Sequence, residues 1–168
     1  DDRPELTVPD ALEILAMQVQ QVVGTSGWSI SECSQNCTRL RGVRSVDIVL
    51  RPESGLSVMT ELGPPSYLLA EFPATAKALA EGTAFVAAVD LDGSDPAETA
   101  LLSKFGYRAV LGVGVPAGQK CFLLEFFSHG DHRDLVEIAP LVRVLTAYCA
   151  SRLSGSQPLH RRASWSAR

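Results

Sequence analysis

The sequence has few basic residues, few cysteines and no long apolar run. Lys and Arg total 15 against 19 Asp and Glu, a formal net charge of -4, so the positive field of a nucleic-acid-binding domain is not expected. Four cysteines in 168 residues are too sparse for a disulfide-framed secreted domain, which predicts reduced thiols. No apolar run approaches the ~20 residues of a membrane-spanning helix, and the N-terminal DDRPELTVPDALEIL lacks the order of a signal peptide. We therefore predict a cytoplasmic domain without membrane or nucleic-acid partners.

The residues that are present indicate one globular domain. Hydrophobic residues make up 46% and charged residues 20% of the chain, enough apolar material for one sizeable core. The missing initial Met and the abrupt end at RRASWSAR predict a piece of a longer protein. We divide it into an N-terminal extension (1–9), a folded domain (10–153) and a C-terminal linker toward an output domain (154–168).

Two helices have clear start and stop signals. TVPDALEILAMQVQQVVG has apolar residues at helical spacing, begins with a capping box of Thr7 and Asp10, and ends at Gly24. SDPAETALLSKFG is capped by Asp95 and ends at Gly106.

Two further helices are predicted from weaker signals. In YLLAEFPATAKALAEG, Pro73 suits a first helical turn and Gly82 a C-terminal cap, which predicts a short helix laid across one end of a sheet. DHRDLVEIAPLVRVLTAYCASRL carries an apolar seam with a spacing close to 3.5 residues, and Pro140 predicts either a kink or the true start of the helix.

The strand patterns favour antiparallel hairpins. GWSISEC and RLRGVRSV form one predicted hairpin with an irregularity at Gly42, and YRAVLGVGV and KCFLLEFF form a second. TAFVAAVD is a single predicted strand, and residues 47–66 have no clear pattern. Strands and helices do not alternate evenly, so we predict an α/β (α+β) domain with a mainly antiparallel sheet and not a doubly wound nucleotide-binding fold.

Three groups of residues, spread over about 10–153, resemble the pattern of the GAF domain family. The helix-capping motif before a strand is matched by Pro73, Ala74, Thr75, Ala78, Leu79, Glu81 and Gly82. The strand ending in Asp and the acidic-capped helix after it are matched by Asp90, Asp95, Pro96 and Glu98. The motif that begins the last hairpin and the strand after it are matched by Phe105, Gly106, Tyr107, Arg108, Val110, Leu111, Val115, Pro116, Leu123, Leu124, Glu125 and Phe126.

This resemblance implies a sensory or regulatory module. The expected fold is a five- or six-stranded, mainly antiparallel sheet with the N- and C-terminal helices on one face. On the other face, short helices and loops would roof a pocket for a small ligand. The family layout would bring these residues to the pocket: Tyr67, Phe72, Phe85, Asp90, Leu101, Phe105, Tyr107, Ala109, Leu111 and Glu125. The alternative is that these aromatic residues simply fill a core.

Glu125 is the most informative of these pocket candidates. It interrupts the apolar strand CFLLEFF, and a buried carboxylate is costly unless it is paired. Arg108 is the predicted partner.

The apolar edges of the terminal helices predict a homodimer interface, with ordinary packing on the sheet as the alternative. The predicted interface residues are Ile14, Met17, Leu135, Ile138, Val142, Leu145 and Cys149.

Catalytic, metal and cofactor sites are weakly supported. Cys33 and Cys37 could exchange a disulfide, as in the free methionine sulfoxide reductase branch of the family, and with His129 and His132 they could in principle hold zinc. Solvated His and core Cys are the simpler interpretation. The family's haem ligand, its bilin-attaching Cys-His pair and its cyclic-nucleotide motif are not reproduced, so no cofactor or metal is assigned.

The C-terminal tail suggests what the domain would control. It resembles the lead-in to GGDEF diguanylate cyclase domains at Leu159, Ala163, Trp165, Ala167 and Arg168. We therefore expect a non-catalytic sensory domain that binds a small ligand, dimerises, or both, to control a C-terminal output, with cyclic-di-GMP signalling as one option and a kinase, phosphatase or DNA-binding domain as others. A ligandless dimerisation module and a small Cys-based redox enzyme stay open as alternatives.

Overall fold

The computed structural model describes residues 5–34, 36, 38–50, 57–60 and 66–154. Its elements in chain order are α1 (Val8–Val23), β1 (Gly27–Ser34), β2 (Arg39–Leu50), β3 (Ser57–Thr60), β4 (Ser66–Leu68), a 3-10 turn (Leu69–Glu71), α2 (Pro73–Glu81), β5 (Ala84–Ala88), α3 (Pro96–Phe105), β6 (Ala109–Ala117), β7 (Lys120–Ser128) and α4 (Arg133–Ser154). Among the described residues, no helix is both long and apolar enough to cross a membrane.

One antiparallel sheet organises the domain. Six strands lie in the order β3-β2-β1-β7-β6-β5, and the short β4 pairs beside β3 on the outer edge of β2. Every strand pair is antiparallel, and the β1–β2 and β6–β7 hairpins confirm the sequence prediction. The predicted α+β architecture of GAF type is therefore confirmed.

The segment without a clear sequence pattern contributes to this sheet. β2 continues to Leu50, and β3 and β4 both pair with it, while 51–56 and 61–65 lie outside the described residues. The predicted irregularity at Gly42 is a bulge: Ile30 pairs with Arg44 and Ser31 with Gly42, so Val43 has no partner on β1.

Local chemistry defines the helix ends where the sequence predicts them. Thr7 and Asp10 form the capping box of α1, and Gly24 ends that helix in the left-handed conformation. Asp95 caps α3 by accepting from the Ala97 N–H at 2.9 Å, and its second oxygen accepts from the Ala74 N–H at 2.9 Å. One carboxylate thus joins the N-terminal ends of α2 and α3.

The two faces of the sheet have different cores. α1 and α4 pack on one face, as predicted for the terminal helices, and α2 and α3 on the other. Trp28, Ile30 and Phe126 are among the buried side chains on the α1–α4 face. Because side chains alternate along a strand, Ser29 and Glu125 lie on the α2–α3 face. Pro140 lies inside α4 and therefore does not mark its start.

The predicted short helix lies where the sequence analysis expected it. α2 crosses β5, β6 and β7, and its backbone approaches β6 so closely that a Cβ on Gly114 would lie 2.0 Å from the Ala78 carbonyl oxygen. Glycine is required at this crossing because any side chain would overlap the backbone of α2. This close contact holds one wall of the candidate site against the sheet.

Candidate functional site

A cavity of about 490 Å³ lies between the sheet and the segments that cover its α2–α3 face. Its floor comes from β1, β2, β6 and β7, and its walls from β4, the 3-10 turn, α2 and α3. The volume falls in the range of small-molecule sites. Apolar and aromatic side chains form most of the lining, and the hydroxyl and carboxyl groups come from Ser29, Ser31, Ser45, Tyr67, Thr75, Glu98, Tyr107 and Glu125.

The structure brings six of the ten predicted pocket residues to this cavity. They are Tyr67, Phe72, Leu101, Phe105, Tyr107 and Glu125. Tyr67 and Phe72 meet edge to face with ring centroids 5.6 Å apart, which holds the β4 side of the cavity to the start of α2.

The other four predicted pocket residues lie elsewhere. Ala109 and Leu111 are fully buried on the α1–α4 face, because odd-numbered residues of β6 point to that side. Phe85 packs over Gly112, where a Cβ would meet its ring at 2.3 Å, and it joins the cores beside the cavity. Asp90 is exposed beyond the end of β5 and contacts Arg108 and His132.

Glu125 is partly buried, and its side chain lines the cavity. Its Oε2 accepts a hydrogen bond of 2.8 Å from the Ser29 hydroxyl on the neighbouring strand β1. Burial, followed by the negative charge of Glu98, raises the pKa of Glu125 to about 7, and the Ser29 hydrogen bond offsets part of this rise. Glu125 is therefore a carboxyl group that can hold or release a proton near neutral pH.

The predicted pairing of Arg108 with Glu125 is wrong. Arg108 Nη2 lies 3.6 Å from Asp90 Oδ2 at an exposed end of the sheet. In the β6–β7 register Glu125 faces Gly112, four residues further along the chain than Arg108. The cross-strand register thus separates the two residues that the sequence analysis predicted as partners.

Glu98 is a second buried carboxyl group in the cavity wall, and the sequence analysis did not predict it as a site residue. It has the position of a first-turn capping acid of α3, but its side chain is only 2% exposed and Oε1 accepts a 2.5 Å hydrogen bond from the Thr75 hydroxyl of α2. Burial, and then the charge of Asp95, raises the pKa of Glu98, against the lowering effect of Thr75. Its partner Thr75 lies 23 positions away on α2, so no local sequence signal marks it.

Two tyrosines place hydroxyl groups at the cavity. Burial, and then the charges of Glu125 and Glu98, raises the pKa of Tyr67 to about 12, so its phenol stays protonated at neutral pH. The Tyr107 hydroxyl donates to the Asp47 carboxylate, and its ring stacks on Phe127 with centroids 4.9 Å apart. The Tyr107 ring is thereby fixed as a rigid wall.

The cysteines and histidines considered for catalysis or zinc are dispersed. Cys33 is buried on β1 opposite Cys121 of β7, and Cys37 lies outside the described residues. His129 Nδ1 lies 3.0 Å from the Gly106 carbonyl oxygen, and His132 Nδ1 lies 3.3 Å from an Asp90 oxygen. Within the part of the chain that the structure describes, no group of three or more His, Cys, Asp and Glu is arranged to hold a metal ion.

The predicted interface residues divide between the core and the surface. Leu135 and Val142 are each 1% exposed and pack on the domain's own sheet, and Ile138 packs against the same core. Ile14 and Met17 of α1 are exposed. Two residues of α4 are partly exposed, namely Leu145 and Cys149. The seam seen in the sequence therefore faces mainly inward.

The outer surface of α4 carries apolar residues that the sequence analysis did not select. Leu141, Val144 and Tyr148 are 60%, 65% and 60% exposed and follow each other at intervals of three and four residues. This spacing places them on one stripe of the helix.

Comparison with known proteins identifies the fold. No protein-family model and no curated protein matches the sequence. The phycoerythrobilin-bound GAF domain from a cyanobacterial phytochrome is similar in structure, with a TM-score of 0.59, 13% identity, and 88% of each chain covered. The GAF domain/HD domain protein from Geobacter sulfurreducens matches with a TM-score of 0.55 and 16% identity, over 89% of this chain and 94% of that one. A methyl-accepting chemotaxis protein matches with a TM-score of 0.57 and 11% identity, over 89% and 91%. This chain therefore has the fold of GAF domains.

Proposed function

We propose that this domain is a non-catalytic, cytoplasmic sensor that binds a small molecule in the cavity and thereby regulates a C-terminal signalling output. The observation that carries the proposal is the cavity of about 490 Å³, walled by aromatic side chains and supplied with a few convergent polar groups. That combination is typical of small-molecule sites.

The solved structures of the same fold support a sensory role. One is a GAF domain with phycoerythrobilin bound, and another belongs to a methyl-accepting chemotaxis protein. They support the use of this fold for ligand binding and signalling.

The packing of the elements offers a route from the cavity to the chain ends. α2 and α3 cover the cavity and contact β5 and β6, and the C-terminal helix α4 packs on the opposite face of the same two strands. A ligand can shift the position of α4 only if α2 and α3 have two arrangements over the cavity and these arrangements bind the ligand with different affinities. The tail that resembles a GGDEF lead-in follows α4 and lies outside the described residues, so a diguanylate cyclase output is one form of this proposal.

A homodimer built on the terminal helices is the second part of the proposal. Exposed Ile14 and Met17 on α1, with Leu141, Val144 and Tyr148 on α4, supply apolar surface on two helices that contact each other. If the cavity binds nothing, this surface favours a ligandless dimerisation module as the function.

The sensor proposal is tested by filling the cavity. Leu101→Trp adds an indole to the α3 wall, and Leu6→Trp makes the same change at an exposed position before α1 as the matched control. Purified wild type and both variants are compared by native mass spectrometry for a retained molecule and by ligand-observed NMR against a small-molecule library. We expect wild type and Leu6→Trp to bind the same compounds and Leu101→Trp to lose them, with all three folded by circular dichroism.

Binding that survives in Leu101→Trp would place the ligand outside the cavity and contradict the sensor proposal as stated. A wild-type domain that retains nothing and binds nothing in the library would favour the dimerisation module.

A further inference from the structure

The charged groups of the lining that are free to meet a ligand are both acidic. Among the described lining residues, the acidic and basic side chains are those of Glu98, Glu125 and Arg44. Arg44 does not offer its charge to the cavity, because its guanidinium binds Glu13 and, at 2.8 Å, Asp10, both on α1 beyond the opposite face of the sheet. The described cavity therefore contains two carboxyl groups and no available cationic side chain.

Each carboxyl group has spare capacity to accept hydrogen bonds. The structure gives Glu125 one donor, the Ser29 hydroxyl at 2.8 Å, and gives Glu98 one donor, the Thr75 hydroxyl at 2.5 Å. A carboxylate accepts about four hydrogen bonds when its lone pairs are satisfied. Among the described residues, further donors to these two groups are missing, and a bound molecule could supply them.

Burial and mutual repulsion penalise full ionisation of this pair. Burial and the neighbouring Glu98 charge raise the pKa of Glu125 to about 7, and burial raises that of Glu98. The charges of both acids also act on the Tyr67 phenol, whose raised pKa of about 12 keeps it protonated. A cation placed among these groups would remove the repulsion and lower both pKa values.

We propose that the cavity selects a small organic cation, an amidinium, guanidinium or ammonium group on a compact apolar body, that binds between Glu98 and Glu125. The cationic group would donate to the two carboxylates, and the body would lie against the Tyr67, Phe72 and Phe105 rings, which line the same space. Aromatic faces also attract cations. This inference rests on the proposed sensory function, because it names the ligand class of the same cavity.

The same geometry disfavours anionic ligands. A carboxylate or phosphate in this cavity would be close to two acids without an available Lys, Arg or His among the described lining residues. Like charges at short range repel strongly in a partly desolvated site. The ligand's charge should therefore decide whether it binds, more than its shape.

Three probes of nearly equal shape test the inference: benzamidine, benzamide and benzoate, which carry a positive, a neutral and a negative head on the same ring. Affinities are measured by ligand-observed NMR titration with wild type, Glu125→Gln, Glu98→Gln and the exposed control Glu137→Gln. We expect wild type and Glu137→Gln to bind benzamidine at least about 10-fold more tightly than benzamide, and benzoate most weakly. Each cavity variant should lose about 10-fold in benzamidine affinity and keep its benzamide affinity, which reports that the cavity is intact.

The pH dependence gives a second readout. Benzamidine stays cationic from about pH 5 to about pH 8, so its affinity for wild type should rise as Glu125 loses its proton at about pH 7. Glu125→Gln should show a smaller rise over the same range, with Glu98 as its remaining titrating cavity acid. Calorimetry in buffers of different ionisation enthalpy should show proton release on binding to wild type.

Equal affinities for the three probes, all abolished by Leu101→Trp, would overturn the charge inference and leave the sensor proposal standing. Benzamidine binding that is unchanged in both Glu→Gln cavity variants would overturn it in the same way. No binding of any probe, with library compounds still bound and lost in Leu101→Trp, would overturn the charge inference alone, and probe binding insensitive to Leu101→Trp would contradict the inference together with the cavity proposal on which it rests.

Discussion

Glu125 shows how one residue can be costly for stability and useful for binding. Its partly buried side chain lines the cavity together with Glu98, with a single hydroxyl donor from Ser29 among the described residues. A group with these surroundings favours its neutral form, so the folded protein binds a proton more tightly than the unfolded chain. The loss of folding free energy appears only at pH values at which Glu125 ionises.

Replacing Glu125 by Gln should remove this pH-dependent cost. The folded pKa of about 7 lies above the ordinary value of 4.5, so the native state holds more protons between these values and wild-type stability falls as pH rises through them. The glutamine side chain of Glu125→Gln cannot ionise. The free energy of unfolding of this variant, relative to that of wild type, should therefore rise by about 3 kcal/mol from pH values below about 4.5 to pH values above about 7. Urea unfolding at a series of pH values measures the difference.

Glu137→Gln on the exposed surface of α4 is the control, and its stability should parallel that of wild type. If the Glu125→Gln and wild-type profiles are also parallel across this range, Glu125 is not the group that carries the cost.

The elements that cover the cavity depend on close backbone contact as well as on side chains. α2 begins at Pro73, ends at Gly82, and lies against β6 at Gly114. Asp95 joins the start of this helix to the start of α3 through two backbone N–H groups. The roof of the cavity is therefore a packed unit whose position is set by the sheet.

Gly114→Ala should disturb this unit. The new Cβ would lie 2.0 Å from the Ala78 carbonyl oxygen and 2.8 Å from the Leu79 backbone nitrogen, atoms that cannot rotate away. Overpacking of this kind costs about 1–3 kcal/mol, so we expect a loss of about 2 kcal/mol or more in the free energy of unfolding. Thermal and urea denaturation measure it, and faster amide hydrogen exchange in α2 would localise it.

Gly130→Ala supplies the matched comparison. A Cβ there meets its nearest neighbouring atom, Ser128 Oγ, at 3.7 Å, an ordinary contact, so little change is expected. Equal stability of the two variants would mean that α2 can move off β6 without cost.

At the scale of the whole molecule, the proposed ligand binding and the proposed dimerisation lie on opposite faces of the sheet. One face holds the cavity, and the other holds α1 and α4, whose outer surfaces leave large apolar side chains exposed. A single sheet lies between them, so a change in the roof and a change at the terminal helices are separated by one layer of strands.

Self-association through the outer stripe of α4 is expected in solution. Val144 is 65% exposed between Leu141 and Tyr148, and an aspartate there would place a charge in the apolar contact. We expect Val144→Asp to weaken dimerisation by about 100-fold or more, measured by sedimentation velocity over a concentration series. Val136→Asp, on a different part of the exposed surface of α4, should leave the dimer intact.

Monomeric wild-type protein at every concentration, or a dimer equally affected by both substitutions, would exclude this stripe as the interface.

Local signals in the sequence were sufficient for the helices and for both hairpins. Thr7 and Asp10 form the predicted capping box, Gly24, Gly82 and Gly106 adopt the left-handed conformation at helix ends, and the antiparallel hairpins pair as expected. These features depend on atoms within a few residues of each other, so the sequence contains what determines them. The GAF-like architecture followed from their order and from the resemblance.

Contacts between distant segments needed the tertiary structure. The register of β6 against β7 sends Ala109 and Leu111 to the α1–α4 face and leaves Glu125 opposite Gly112, out of reach of its predicted partner. A shift of one residue in the strand register would turn every side chain of the strand to the opposite face of the sheet. A strand that is apolar throughout gives little local indication of which face each side chain takes.

The sequence by itself determined the helix ends, the two hairpins and an α+β order of elements, because capping residues, turn residues and apolar periodicity act locally, and the resemblance to GAF domains supplied the layout of the fold. The tertiary structure alone decided that Glu98 turns inward to meet Thr75, that Ser29 and not Arg108 contacts Glu125, and that two acids share one cavity. These contacts join residues 23 and 96 positions apart, and the burial that raises the pKa values of both acids exists only once the sheet and its covering helices have packed together.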